Sequence, residues 1–161
     1  MKRTQLLRKT PLRARKPKDE EEPVKHGNRI AKQTRRRKLD YRKKVKRNDK
    51  TWSVMVRTRD NYQCRHCGST EWVQAHHLRR REFWATRWQL MNGIALCAKC
   101  HEFSNDFSAH GTPDKFEAWI RDSEPEVYAF WCKSRAMPDG SVKRNEEYVD
   151  AEYARLVGEK E

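Results

Sequence analysis

The chain has 161 residues, 35% of them hydrophobic and 37% charged, which is room for about one domain and a core that involves only part of it. Lys and Arg number 37 against 23 Asp and Glu, a net +14, and the excess is uneven. Residues 1–50 hold 21 basic and 6 acidic side chains, whereas residues 51–161 hold 16 and 17. A basic arm precedes a near-neutral body. Such an arm seeks a polyanion, and nucleic acid is the usual one. The longest apolar run, Val127–Cys132, is far short of a membrane span, and no apolar stretch follows the charged start at Lys2 and Arg3, so neither a membrane protein nor a secreted one is expected. A cytoplasmic protein is the expectation.

In chain order, residues 1–27 read as disordered, with Pro11, Pro17, Pro23, the acidic run Asp19–Glu22 and no aromatic side chain. From Ile30 to Lys50 the composition favours a helix dense in Arg35, Arg36, Arg37, Lys38, Lys43, Lys44 and Arg47, with Leu39, Tyr41 and Val45 as a thin apolar stripe. A phosphate-binding role is the reading for Arg35, Arg36, Arg37, Lys43 and Lys44, against a plain solvated face. The arm is placed at 1–50, the folded body at 51–137 and a polar tail or helix at 138–161. The body opens with Trp52, Met55 and Val56 at helical spacing and turns at Asp60-Asn61. A knuckle follows at Cys64–Gly68, then a strand over Glu71–His77 and an Arg- and Trp-rich loop over Leu78–Leu90. A second strand is predicted at Asn92–Leu96 and a helix from Cys97 to about Phe107. Thr112-Pro113 starts another, with Phe116, Trp119 and Ile120 inward, and Pro125–Met137 and Glu146–Val157 are the last two.

Five cysteines without secretion argue against a disulfide framework. Four of them form two C-x2-C pairs, Cys64/Cys67 and Cys97/Cys100, and two such turns complete a tetrahedral four-thiolate site suited to a structural Zn2+. Cys132, in an apolar stretch, reads as a small buried hydrophobe. The 29 residues between Cys67 and Cys97 exceed the gap of an ordinary zinc ribbon, so something is inserted. The insert contains His76-His77 and Asn92-Gly93-Ile94-Ala95-Leu96, and His101 follows Cys100 directly. Adjacent strand residues point to opposite faces, so one imidazole can meet a metal and the other a water.

Cys64-x2-Cys67, His76-His77, Asn92-x3-Leu96-Cys97-x2-Cys100-His101, in that order, resembles the HNH endonuclease family in its phage-type version with a four-cysteine zinc site. The match covers about Asp60 to His101. The resemblance implies an α+β fold, a small ββα-metal finger with a four-cysteine zinc knuckle pair surrounded by helices and extended by the basic arm. It implies a metal-dependent endonuclease cutting DNA, most naturally double-stranded, to 5′-phosphate and 3′-hydroxyl ends. In it His77 is the general base, His76 and His101 are ligands of one catalytic divalent metal, and Asn92 clamps loop backbone and orients His77. Asn92 before Gly93 equally suits a turn, and His110 reads as a third ligand, a DNA contact or a helix-start residue. His76 stands where many relatives carry Asp or Glu. That admits Zn2+, Ni2+ or Mn2+ beside Mg2+. Arg79, Arg80, Arg81 and Arg87, just after the base, read as phosphate grips. Trp84 and Trp88 read as buried. The rival from another class is a non-catalytic zinc-stabilised nucleic-acid-binding module, and charge alone does not separate DNA from RNA. Oligomeric state has no signature in the sequence.

Overall fold

The computed structural model describes residues 26–138 and 140–158. The chain divides into two compact units, Met1–Arg37 and Lys38–Glu161. The disorder expected for residues 1–27 falls almost wholly outside the described residues.

The first helix, α1, runs unbroken over His26–Arg59. From Tyr41 its inward side chains are Tyr41, Val45, Asn48 and Trp52, then Met55 and Val56 three and four residues beyond Trp52, a spacing that keeps one face turned to the core. Asp60 ends it, and Asn61 and Tyr62 both turn with φ +53°. The Asp60 carboxylate accepts the Ala95 N–H at 2.8 Å and pairs with Arg59, whose guanidinium also donates to the Leu90 and Gly93 carbonyls at 2.8 Å. The end of α1 is thereby tied to the hairpin.

That hairpin is the whole sheet: β1 (Val73–His77) pairs antiparallel with β2 (Gly93–Cys97), Val73 opposite Cys97 and His77 opposite Gly93. A single helical turn, α2 (Trp84–Arg87), lies in the connection. After β2 a π-helical turn covers Lys99–Phe103, shorter than the helix expected to reach Phe107. The backbone explains the difference. The carbonyls of Cys100 and His101 accept the N–H groups of Ala109 and His110 at 2.9 and 3.2 Å, so they are not available to prolong a helix. Helix α3 (Pro113–Ser123) and helix α4 (Pro125–Arg135) each begin on a proline, and α5 (Glu146–Gly158) is the last element among the described residues.

Two cores flank the hairpin. One gathers Cys64, Ile94, Leu96, Cys97 and Cys100 with Phe116 and Ile120 of α3 and Val127 of α4. The other joins Trp52, Met55 and Val56 of α1 to Trp88 and to Val149 and Leu156 of α5. Among the described residues the helices and the small sheet make a mixed, helix-rich α+β architecture, and no helix is long and apolar enough to cross a membrane.

Asn48, on the arm side of residue 50, is buried and its amide donates to the Val149 carbonyl of α5 at 2.7 Å. The polar C-terminal helix lies with it in the unit Lys38–Glu161. Cys132 is exposed, since α4 turns Val127, Trp131 and Ser134 inward and Cys132 lies off that face. Trp88 is buried as expected, while Trp84 is half-buried beside Tyr41 and Tyr148.

Candidate metal centres and the histidine cleft

The two C-x2-C pairs converge. Cys64, Cys67, Cys97 and Cys100 offer sulfurs all within 4.8 Å of one another, and none is in a disulfide. The first pair sits on a turn in which Gly68, at φ +74°, returns its N–H to the Cys64 carbonyl. The second pair brackets the exit from β2. Cys67 and Cys97 sulfurs are 3.6 Å apart. Ligands held tetrahedrally at about 2.3 Å lie about 3.8 Å from one another, so the cluster could hold a structural metal such as zinc. Burial, and then the adjacent sulfurs of Cys97, Cys64 and Cys67, push the Cys100 thiol up, which is the crowding that a cation relieves. His66 packs over the cluster, its Nδ1 3.4 Å from the Cys100 sulfur and its ring 3.5 Å from that of Phe107.

A second cluster comprises His76, His101 and His110, with ligand nitrogens within 4.8 Å of one another. His76 is buried on the β1 face that meets Phe116 of α3. His101 lies on the π turn, a local widening often found at functional sites. His110 is laid beside it by the backbone pairing of residues 109–110 with 100–101, and Ser108 braces that loop by donating to the Ser104 carbonyl at 2.8 Å. The Nε2 atoms of His101 and His110 are 3.2 Å apart. Nitrogens held tetrahedrally at about 2.0–2.1 Å are about 3.3 Å apart, so the His101–His110 pair has the spacing of two ligands of one ion, and the three histidines could hold a metal. Gln74, two residues before His76 on the same strand face, accepts the His101 Nδ1–H at 2.8 Å and turns Nε2 toward the cluster. The sequence reading missed Gln74; its period-two relation to His76 was the available signal. Burial, then the charges of His101, His110 and His77, push His76 down to about 3, and burial with His110 lowers His101. Both imidazoles are therefore neutral near pH 7, the form that binds metal.

His77 takes the opposite face of β1. Its Nε2–H donates to the Arg87 carbonyl at 3.0 Å, and its ring stacks on Trp52 with centroids 3.7 Å apart and planes 15° from parallel. Burial first, opposed by the Arg87 carbonyl, brings its pKa down to about 4. The ring is neutral near pH 7, and with Nε2 protonated the lone pair is on Nδ1. Asn92 is fully buried: its Oδ1 accepts the Arg79 N–H at 2.8 Å, and its Nδ2 donates to the Arg79 and Thr86 carbonyls at 3.0 Å. It thus joins the two ends of the loop beside His77 and Arg87, more than a turn would require.

His76, His77, His101 and His110 line one cleft of about 430 Å³ together with Arg80 and Arg81, which are exposed. Arg79 and Arg87 are not placed to grip phosphate. Arg79 is buried, donates to the Met137 carbonyl at 2.7 Å and covers Phe83. Arg87 forms a two-pronged pair with Asp49 at 2.9 and 2.7 Å. Both spend their guanidinium groups on the fold. Lys44 likewise pairs with Glu146 and Asp150 of α5, at 2.9 and 2.7 Å, while Lys43 is exposed beside Asp40. Arg35, Arg36 and Arg37 are exposed on α1. No protein-family model, curated protein or solved structure matches the chain.

Proposed function

We propose that the chain is a metal-dependent endonuclease of the HNH kind that hydrolyses phosphodiester bonds in DNA, with a structural zinc on Cys64, Cys67, Cys97 and Cys100. The observation that carries the proposal is the division of labour between neighbours on β1. His76 joins His101 and His110 in a three-nitrogen donor set, while His77 keeps a lone pair on Nδ1, and both rings border the same cleft. A divalent ion on the three histidines would supply positive charge to the phosphoryl and leaving oxygens.

The remaining chemistry belongs to the chain. His77 accepts a proton from the attacking water at Nδ1, and the Arg87 carbonyl stabilises the imidazolium that forms through its bond to Nε2–H. Arg80 and Arg81 hold phosphates that flank the scissile bond. Asn92 keeps the loop that presents them closed on itself. The exposed arginines of α1 add affinity of low sequence specificity. Duplex DNA in the cytoplasm of a bacterial or phage-infected cell is the substrate this reading names.

The test is supercoiled plasmid incubated with Mn2+, Mg2+, Ni2+, Zn2+ or excess EDTA. Nicking or linearisation is expected with divalent metal and not with EDTA, and His77→Ala should lose at least ~10²-fold of the rate while keeping its zinc and its DNA affinity. Protein that carries zinc and binds DNA yet cuts in no metal would favour the non-catalytic binding module. Preferential cleavage of an RNA duplex in competition would move the substrate from DNA to RNA.

A further inference from the structure

Two side chains of α1 that no part of the proposed chemistry uses converge on His77. Asp49 and Trp52 are three residues apart, so they share the helix face turned to the hairpin. The Asp49 carboxylate takes the Nε–H and an Nη2–H of Arg87 and, at 2.8 Å, the Nε1–H of Trp88. All three donors belong to two consecutive residues, and the backbone carbonyl of the first is the acceptor for His77 Nε2–H. The Arg87 side chain is only 12% exposed, and it also donates to the Arg81 carbonyl, so the peptide that receives the histidine is fixed on both sides. Trp52 is itself anchored, its Nε1–H donating to the Gln89 carbonyl at 3.0 Å, and it offers a flat face to the imidazole. A wall needed only for packing could be built from any apolar side chain; a nearly parallel ring fixes the tilt of the imidazole as well.

We propose that Asp49 and Trp52 are positioning residues for the base: Asp49, through Arg87, fixes the carbonyl that selects the Nε2–H tautomer of His77, and Trp52 fixes the plane of the ring. The proposal rests on the nuclease reading in giving His77 the role of proton acceptor. The wrong tautomer would present a donor where the water needs an acceptor, and a misplaced ring would lengthen the transfer; either fault lowers the chemical step rather than DNA affinity.

The experiment has two readouts on the full-length, zinc-loaded protein. Two-bond 1H–15N correlation of 15N-labelled protein at pH 8 reports the histidine tautomers, with the His77 signals identified by their loss in His77→Gln. Single-turnover plasmid cleavage at saturating DNA, together with the half-saturating DNA concentration, separates chemistry from binding. Wild type should show His77 as Nε2–H. Asp49→Ala and Trp52→Leu should show a mixed tautomer or a shifted ring signal and cut about 10- to 100-fold more slowly at unchanged half-saturation, and Trp52→Phe should restore most of the rate. If Trp52→Leu fails to fold, Asp49→Ala carries the test. His77 protonated on Nδ1 in wild type overturns the proposal, as does a folded Asp49→Ala with wild-type tautomer and rate. A wild type that shows the Nε2–H tautomer, lost in Asp49→Ala, but cuts DNA in no metal sinks the nuclease reading and leaves the positioning of His77 standing.

Discussion

Gly93 is opposite His77 in the hairpin register, and the packing there leaves no space for a methyl group. A Cβ at this position would lie 2.5 Å from Val56 Cγ2 and 2.6 Å from Trp52 Cζ2. Neither can retreat easily, because Val56 and Trp52 are buried in the α1–α5 core and Trp52 is held by Gln89. Overpacking of this sort costs about 1–3 kcal/mol. Gly93→Ala should therefore lower the melting temperature by roughly 2–10 °C, read by calorimetry, while a change at the open Gly158 should not. The sequence offers a clamp role for Asn92, by resemblance, and a turn at Asn92-Gly93 as its rival. Gly93 is extended and is glycine because a helix approaches it, and Asn92 is a clamp with three hydrogen bonds. Spacing along the chain reveals a turn residue; it does not reveal what a helix some 40 positions earlier will press against it. Gln74, Asp49 and Trp52 escaped for the same reason, since each acts on a side chain far away in sequence.

Among the elements, those defined by strong local rules were legible: both strands, the two proline-started helices and the cysteine pairs lie within about two residues of expectation. The segment after Cys97 was not, because its carbonyls are claimed by a returning loop that no local pattern announces. That loop delivers His110, which the sequence left open among three roles, to the side of His101. Cys64, Cys97 and Cys100 are part of the buried core, whereas His101 is half-buried and His110 exposed, so the four-cysteine site and the histidine cluster should respond differently to loss of metal. With zinc on the four cysteines, stripping it with a thiolate-competitive chelator, or replacing Cys64 by Ser, would remove a cross-link between the two knuckles. Structural zinc contributes folding free energy outright. A fall of more than about 10 °C in melting temperature is expected, alongside loss of zinc in metal analysis. His110→Ala should leave that zinc and most of the melting temperature intact, and should instead abolish any binding of a divalent ion at the histidine cluster. Equal destabilisation by the two changes would mean that the histidine cluster, too, holds the fold together.

On the scale of the molecule, the charge asymmetry was plain from the sequence, but its partition was not. Lys44 and Arg47 look like part of the polyanion-binding run, yet both pair with Asp150, about a hundred residues later, and Arg47 also covers Tyr153. Their charge is largely answered within the protein. Arg35, Arg36 and Arg37 are exposed on α1 within the unit that ends at Arg37. If these arginines contact phosphates, each displaces condensed counterions, and the logarithm of affinity falls with the logarithm of salt by about 0.9 per contact. Replacing all three by Ala should therefore flatten the salt slope of DNA binding by up to about 2.7, measured by fluorescence anisotropy between low and physiological salt. The same substitutions should not move the melting temperature, since none of the three is buried. Lys44→Ala gives the opposite pattern: little change in slope, and a modest loss of stability as Glu146 and Asp150 lose their partner. A slope unchanged in the triple variant would mean that Arg35, Arg36 and Arg37 do not touch the nucleic acid, and would shift the electrostatic contact to other basic residues, Arg80 and Arg81 at the cleft among them.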